Sequence, residues 1–167
     1  MNRREYLRSI AVAIGGVIGA AMRGPVNASA IGDRVEWADI TLLDGRVLPA
    51  AAIRGRVVVV ETWASWCPFC ARQNPHFQAL YAAHAGRGLE FMTFSIDRDP
   101  AKARAYMATH RYTFPAAMAT ARSEKWFGPR RGLPEVHVVD RAGRIVFMEA
   151  QEMFPEDVRA LARFSTL

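Results

Sequence analysis

The sequence predicts a layered α/β domain, with a sheet held between helices, and two observations carry that expectation. Residues 57–60 are four consecutive valines, which suits a strand buried on both faces at the centre of a sheet. A helix-like stretch follows, then a second apolar run at 89–96, then a second helix opened by Asp99-Pro100. This β-α-β-α alternation calls for a right-handed crossover and helices packed on the sheet. The 167 residues leave room for one such domain.

Taken in order, residues 1–30 read as an address. A basic start (Arg3, Arg4, Arg8) precedes a Gly- and Ala-rich apolar run of about fourteen residues, shorter than the ~20 that a membrane span needs. Ala28-Ser29-Ala30 is a small-residue cleavage signal, and the paired arginines resemble a twin-arginine export signal. An uncleaved N-terminal membrane anchor is the alternative, because Arg23-Gly24-Pro25 interrupts the region before the cleavage signal; both readings place residues 31–167 outside the cytoplasm. That remainder opens with an extended stretch at 35–42, the tight-turn dipeptide Asp44-Gly45 and a short return at 46–48, an N-terminal β-hairpin.

After the central strand, the crossover helix runs from about residue 68 to 85, with Phe77, Leu80, Tyr81 and Ala85 at near-helical spacing. Gly86 and Gly88 end it, and Pro75 inside it predicts a kink. A strand at 89–96 and a helix through about 110 follow. Residues 114–119 form a short edge-like strand and 123–127 a helical turn. A hairpin pairs 136–139 with 145–148 around Asp140-Arg-Ala-Gly143, and a final helix at about 155–164 covers the sheet.

Composition narrows the function. With 51% hydrophobic and 23% charged residues, the chain fits neither a disordered segment nor a polytopic membrane protein. The formal charge of +6 invites a nucleic-acid reading, but residues 1–30 contribute half of it through four arginines against Glu5. The remaining basic residues are interspersed with acids, so the expected partners include no nucleic acid. Arg130-Arg131 is the exception, and it reads as a solvated pair, the alternative being a preference for acidic partners.

The two cysteines, Cys67 and Cys70, are the whole thiol inventory, so they act as a local pair and not as staples. They fall where the buried strand gives way to a helix. There the unpaired N–H groups and the helix dipole stabilise a thiolate at Cys67, and an accessible thiolate attacks disulfides. Cys70 lies about one turn on, within reach of Cys67, and suits the resolving role. Pro68 fits the first helical turn. A zinc site would need two more ligands at metal-like spacing; His76, His84, His110 and His137 are dispersed, so no metal is expected.

Glu61-Thr-Trp-Ala-Ser-Trp-Cys-Pro-Phe-Cys70, the proline-bearing helix and Gly132-Leu-Pro-Glu-Val-His-Val-Val-Asp140 together resemble the thioredoxin superfamily. The export segment and N-terminal hairpin narrow the resemblance to TlpA/ResA/CcmG-like thiol:disulfide oxidoreductases. It covers nearly all of residues 35–164. It implies a thioredoxin-like three-layer α/β/α fold with a central mixed sheet, Cys67 as exposed nucleophile and Cys70 as buried partner. It also implies a cis peptide at Leu133-Pro134 that packs on the sulfurs and offers the Leu133 backbone to an extended substrate. Glu61 matches the buried acid that moves the proton of the buried thiol, and a carboxyl on an apolar strand should have a raised pKa. The alternative for Glu61 is a solvent-facing acid at the strand edge. Gln73 stands where the subgroup often carries Glu, and it cannot titrate.

Trp66 is expected as a wall of the substrate groove and Trp63 as core, with Phe69 adding apolar surface beside Cys67. No cofactor is implied beyond the redox-active Cys67–Cys70 disulfide. The resemblance favours a reductase of protein disulfides in cytochrome c biogenesis, acting on apocytochrome c or a copper-site protein. A membrane electron donor of the thiol-transfer type would feed it. Alternatives are a periplasmic dithiol oxidase, against which the lack of a large inserted helical region argues, and a copper(I)-handling module, since soft thiolates suit that ion. A peroxidase would need Thr three residues before its reactive cysteine, where Ala64 stands.

Overall fold

The computed structural model describes residues 29–167. The export signal and anchor readings rest on residues 1–30 and so lie almost wholly outside the described part. Among the described residues no helix is long and apolar enough to cross a membrane.

The elements are β1 (Ile40–Thr41), β2 (Val47–Leu48), α1 (Ala50–Ile53), β3 (Val58–Trp63), α2 (Pro68–His84), β4 (Glu90–Ser95) and α3 (Pro100–His110). Then follow β5 (Ala116–Met118), α4 (Ala121–Phe127), β6 (Glu135–Val139), β7 (Ile145–Ala150), α5 (Pro155–Ala160) and a terminal 3₁₀ segment, Leu161–Thr166. Five strands form one mixed sheet in the order β5-β4-β3-β6-β7. β3, β4 and β5 are parallel, joined by the α2 and α3 crossovers, while β6 and β7 run antiparallel to their neighbours. All six residues of β3 are buried, as the valine run requires of a central strand.

Each sheet face has its own core. Val58, Val60, Met92 and Phe94 pack with Trp37, Ile53, Trp126 and Phe127 beneath α1, α4 and the N-terminal segment. Val57, Val59, Phe91, Val136 and Val138 pack with Phe77, Leu80, Val158 and Leu161 of α2, α5 and the 3₁₀ segment. Layers of helix, sheet and helix result, which is the fold the sequence predicts.

Phe77 anchors the second core: it is fully buried, with its ring edge-on to Phe91 at 5.7 Å and to Phe114 at 5.4 Å. Truncating it removes both aromatic contacts and opens a cavity between α2 and the sheet. Phe77→Ala is therefore expected to lower the unfolding free energy by about 3–5 kcal/mol, measured by denaturant titration. A loss below about 1 kcal/mol would contradict this packing.

The differences from expectation are local. The N-terminal hairpin is far shorter than the extended stretch suggests, because residues 32–35 pair elsewhere. Gly32 N–H donates to the Ile145 carbonyl and Val35 N–H to that of Gly143, both at 2.8 Å. The hairpin's own end bonds to β5 through Leu43 N–H to the Ala116 carbonyl at 2.7 Å, covering an edge strand that would otherwise be open to pairing. The short α1 has no counterpart among the expected elements, and its first N–H, Ala50, is capped by Asp39 from 2.8 Å. The final helix tightens into 3₁₀ after Ala160. At Gly88 (φ 100°) a Cβ would come within 2.8 Å of the Ser165 carbonyl oxygen, so the turn after α2 needs glycine.

Candidate active site

β3 delivers the chain to the carboxyl edge of the sheet, where Ala64, Ser65 and Trp66 turn it into α2. Asp97 fixes this turn from the end of β4: one carboxylate oxygen accepts from Ser65 N–H (3.0 Å) and Ser95 Oγ (2.7 Å), the other from Ser65 Oγ (2.6 Å). Nothing in the sequence singles out Asp97, since its partners Ser65 and Ser95 are brought together only by the parallel register of β3 and β4.

Cys67 is the N-cap of α2, with Pro68 in the first turn. Its Sγ accepts the Cys70 N–H at 3.1 Å, and the two cysteines form a disulfide with Cα atoms 5.3 Å apart. The expectation of an exposed Cys67 needs correction. Cys67 is 4% exposed and Cys70 fully buried, because the bridged pair sits in a small core with Trp63, Ala64, Ala103 and Ala116. An asymmetry survives, since Cys67 borders a surface groove and Cys70 does not.

That groove, about 500 Å³ and shallow, runs between the first turn of α2 and the segment before β6. Trp66 (65% exposed), Pro68 and Phe69 (50% exposed) form one side. Leu133 forms the other, and the Leu133–Pro134 peptide bond is cis. Leu133 also packs against the cysteine cluster. Trp63, by contrast, is fully buried, donating from Nε1 to Thr93 Oγ1 at 3.0 Å.

The central strand also carries a buried carboxyl. Glu61 is fully buried, not at a solvent-facing edge. Gln73 Nε2 donates to its Oε1 at 2.7 Å, while Gln73 Oε1 accepts the Met153 N–H at 2.7 Å. The backbone donor fixes which way the Gln73 amide points, so the amide must donate to Glu61. Burial outweighs that hydrogen bond and pushes the Glu61 pKa up to about 8. Among the described residues its Oε2 has no partner, nor has Oδ1 of the buried Asn74, whose Nδ2 reaches the Tyr106 hydroxyl at 3.4 Å. Gln73, which holds Glu61, lies three residues after Cys70 and so on the same face of α2 as the buried thiol. Thus the non-titrating Gln73 proves to be the residue that holds Glu61, and Asn74 is a polar neighbour that sequence reasoning missed.

On the opposite face, Glu135 is buried with Arg131 Nε 3.4 Å from its Oε1, and burial raises its pKa. His137, two residues along the same face of β6, is buried against the Phe127 ring (4.7 Å between centroids); burial lowers its pKa to about 4. His76 is half-buried on α2. Among the described residues no group of three or more His, Cys, Asp or Glu is placed to hold a metal ion.

A bridged Cys-x-x-Cys at a helix N-terminus, facing a cis-proline loop on this sheet order, is the arrangement of thioredoxin-like proteins, and residues 30–163 match the Redoxin family. The chain belongs to the Redoxin family. Among relatives of this Redoxin member, the thiol-disulfide oxidoreductase ResA of Geobacillus thermodenitrificans (strain NG80-2) is 23% identical over 160 residues, 94% of this chain and 90% of that one. ResA of Bacillus thuringiensis (strain Al Hakam) is 23% identical over 110 residues; the match takes in 64% of this chain and spans 62% of that relative's length. Among solved structures, a thioredoxin-family thiol:disulfide interchange protein from Chlorobium tepidum TLS superposes with a TM-score of 0.71 at 22% identity, over 83% of this chain and 99% of that one. A secreted disulfide oxidoreductase of Mycobacterium tuberculosis gives a TM-score of 0.62 at 19% identity, over 77% and 95%. At such identities the structural likeness is one of fold: the chain is a Redoxin with a thioredoxin-like fold.

Proposed function

We propose that the protein is an exported thiol:disulfide oxidoreductase that reduces disulfides of other proteins. The observation that carries this is the Cys67–Cys70 disulfide set between the α2 N-terminus and the cis-proline loop, with only Cys67 bordering the groove. In the reduced protein the Cys67 thiolate, favoured by the helix N-terminus, attacks one sulfur of the target disulfide. The target's S–S bond breaks, a mixed disulfide forms, and the first target thiolate leaves. Cys70, giving its proton to the Glu61 carboxylate, then attacks the Cys67 sulfur. The second target thiolate leaves and takes up a proton, so two electrons pass to the target and Cys67–Cys70 is oxidised. A thiol-transfer donor at the membrane returns the electrons. Cys67, Cys70 and Glu61 carry the chemistry; Trp66, Pro68, Phe69 and Leu133 receive the substrate segment, the buried Pro134 lying behind Leu133 and not in the groove, and no further cofactor takes part.

Export is supported by the twin-arginine-like start of the sequence and by the secreted state of the Mycobacterium tuberculosis neighbour. The reductase direction follows the resemblance to the TlpA/ResA/CcmG-like group, with disulfides of apocytochrome c or a copper-site protein as targets. Equilibrating the protein with dithiothreitol redox buffers while following tryptophan fluorescence is expected to show one reversible two-electron transition. Its midpoint should lie toward the thioredoxin value of about −270 mV and well below the DsbA value of about −120 mV. A midpoint near the latter would make the protein an oxidase, and no reversible transition would end the oxidoreductase reading.

A further inference from the structure

The groove beside Cys67 is polarised in a way that the reaction itself does not require. One side is aromatic, with Trp66 and Phe69 both at least half exposed. The other rim carries Arg130 and Arg131 beside Leu133, Ile96 also lines the groove, and among the described residues no Asp or Glu lines it. The two arginines are poorly neutralised from within. Arg130 shares an exposed ion pair with Glu124 at 2.9 Å, a contact that solvent screens heavily. Arg131 meets Glu135 through a single 3.4 Å contact, and its outer nitrogen rests 3.6 Å from the Met148 sulfur.

The third arginine near the groove behaves differently. Arg72 lies 4.8 Å over the Phe69 ring but is held in a two-pronged pair with Glu152, at 2.7 and 2.6 Å. Of these three arginines, the two held by single contacts stand on one rim, the one formed by the residues that run into the cis-proline loop.

We propose that the groove selects target segments carrying an acidic side chain within a few residues of the reacting cysteine and a large apolar side chain on the other side of it. This rests on the oxidoreductase reading and names the chemistry of its protein substrate. An extended segment alongside Leu133 would turn alternate side chains to opposite flanks. One flank then meets Trp66 and Phe69, and the other meets the guanidinium groups of Arg130 and Arg131, which suit carboxylates geometrically. Partial exclusion of water by the docked segment strengthens the charge pairing over that of an open surface pair, and the arginine rim speeds encounter with an acidic partner.

The test uses the reduced full-length protein and three disulfide-bonded peptides that share a Trp beside the cysteine and differ at two flanking positions, filled by Glu, Gln or Lys. The second-order rate constant for reduction is expected to fall in the order Glu, Gln, Lys, with on the order of tenfold between the ends at low salt and a much smaller spread near 0.5 M salt. The R130Q/R131Q variant should flatten the series, and R130E/R131E should invert it. Should the charge-reversed variant not fold, the neutral variant and the wild-type series decide the matter. Equal wild-type rates for the Glu and Lys peptides would overturn the proposal, as would an unchanged order in the neutral variant. Failure of the reduced wild-type protein to act on the Gln peptide or on a small neutral disulfide would strike instead at the oxidoreductase reading.

Discussion

Cys67→Ser is expected to abolish disulfide exchange, whereas Cys70→Ser is expected to leave attack intact and to arrest the protein as a mixed disulfide with its target. The asymmetry follows from where the two sulfurs lie. Cys67 caps α2 and borders the groove, so an incoming disulfide sulfur reaches it first. Cys70 is fully buried behind it and meets no solute until Cys67 has engaged one. Without Cys67 no thiol faces the groove, and the rate should drop to the level of the uncatalysed background; a triad enzyme loses on the order of 10⁶-fold when its nucleophile is removed. Without Cys70 the first step survives but its product has no internal thiol to resolve it, so the adduct persists until an external thiol arrives. Non-reducing electrophoresis and mass spectrometry of the protein mixed with a disulfide-bearing target read both outcomes. Adducts that accumulate through Cys70 in the Cys67→Ser protein would reverse the assignment of roles.

Much of this site is legible in the amino-acid sequence alone, and the reasons are local. The valine run, the Cys-x-x-Cys at a strand–helix junction and Pro68 in the first turn are short-range signals whose physics does not depend on distant residues. Glu61 is recognisable as an acid on an apolar strand, although its burial depends on the helix laid over it. What the sequence does not show depends on pairing across the fold. Gln73 looks like a departure from the family pattern; its function as a clamp appears only once Met153, eighty residues on, donates to its other end. Asp97 organises the active-site turn only because β3 and β4 are in register. Residues 35–42 read as one extended arm of the hairpin, yet the backbone of Val35 pairs with the β6–β7 turn and only Ile40–Thr41 remains in the hairpin. Arg130 and Arg131 read as solvated, and both are largely so, but their position against Trp66 and Phe69 is a tertiary fact.

Glu61→Gln should change the pH dependence of both stability and exchange, and the sign is fixed by the direction of the shift. The Glu61 pKa rises from about 4.5 in the unfolded chain to about 8 in the folded protein. Between those values the native state holds a proton that the unfolded state has released, so stability falls as pH rises across that window. The contribution is fully present below about pH 4.5 and is lost by about pH 8, a decline on the order of 5 kcal/mol at 1.36 kcal/mol per unit. His137 acts oppositely over the acid part of the range. Its pKa is depressed from 6.5 to about 4, so its contribution is lost as pH falls. The raised pKa of Glu135 adds a decline of the same sign as that of Glu61. The quantity to measure is therefore the difference between wild type and Glu61→Gln, obtained by guanidinium unfolding of the oxidised proteins from pH 5 to 8.5. That difference should grow in favour of the variant as pH rises. In exchange kinetics the wild-type rate should carry an inflection near pH 8 that the variant lacks. The variant should also be roughly 10²-fold slower at neutral pH, the usual contribution of a positioned base. Parallel stability curves would place the folded pKa of Glu61 near its unfolded value, while diverging stability curves with identical kinetics would leave it a buried acid with no part in moving the Cys70 proton.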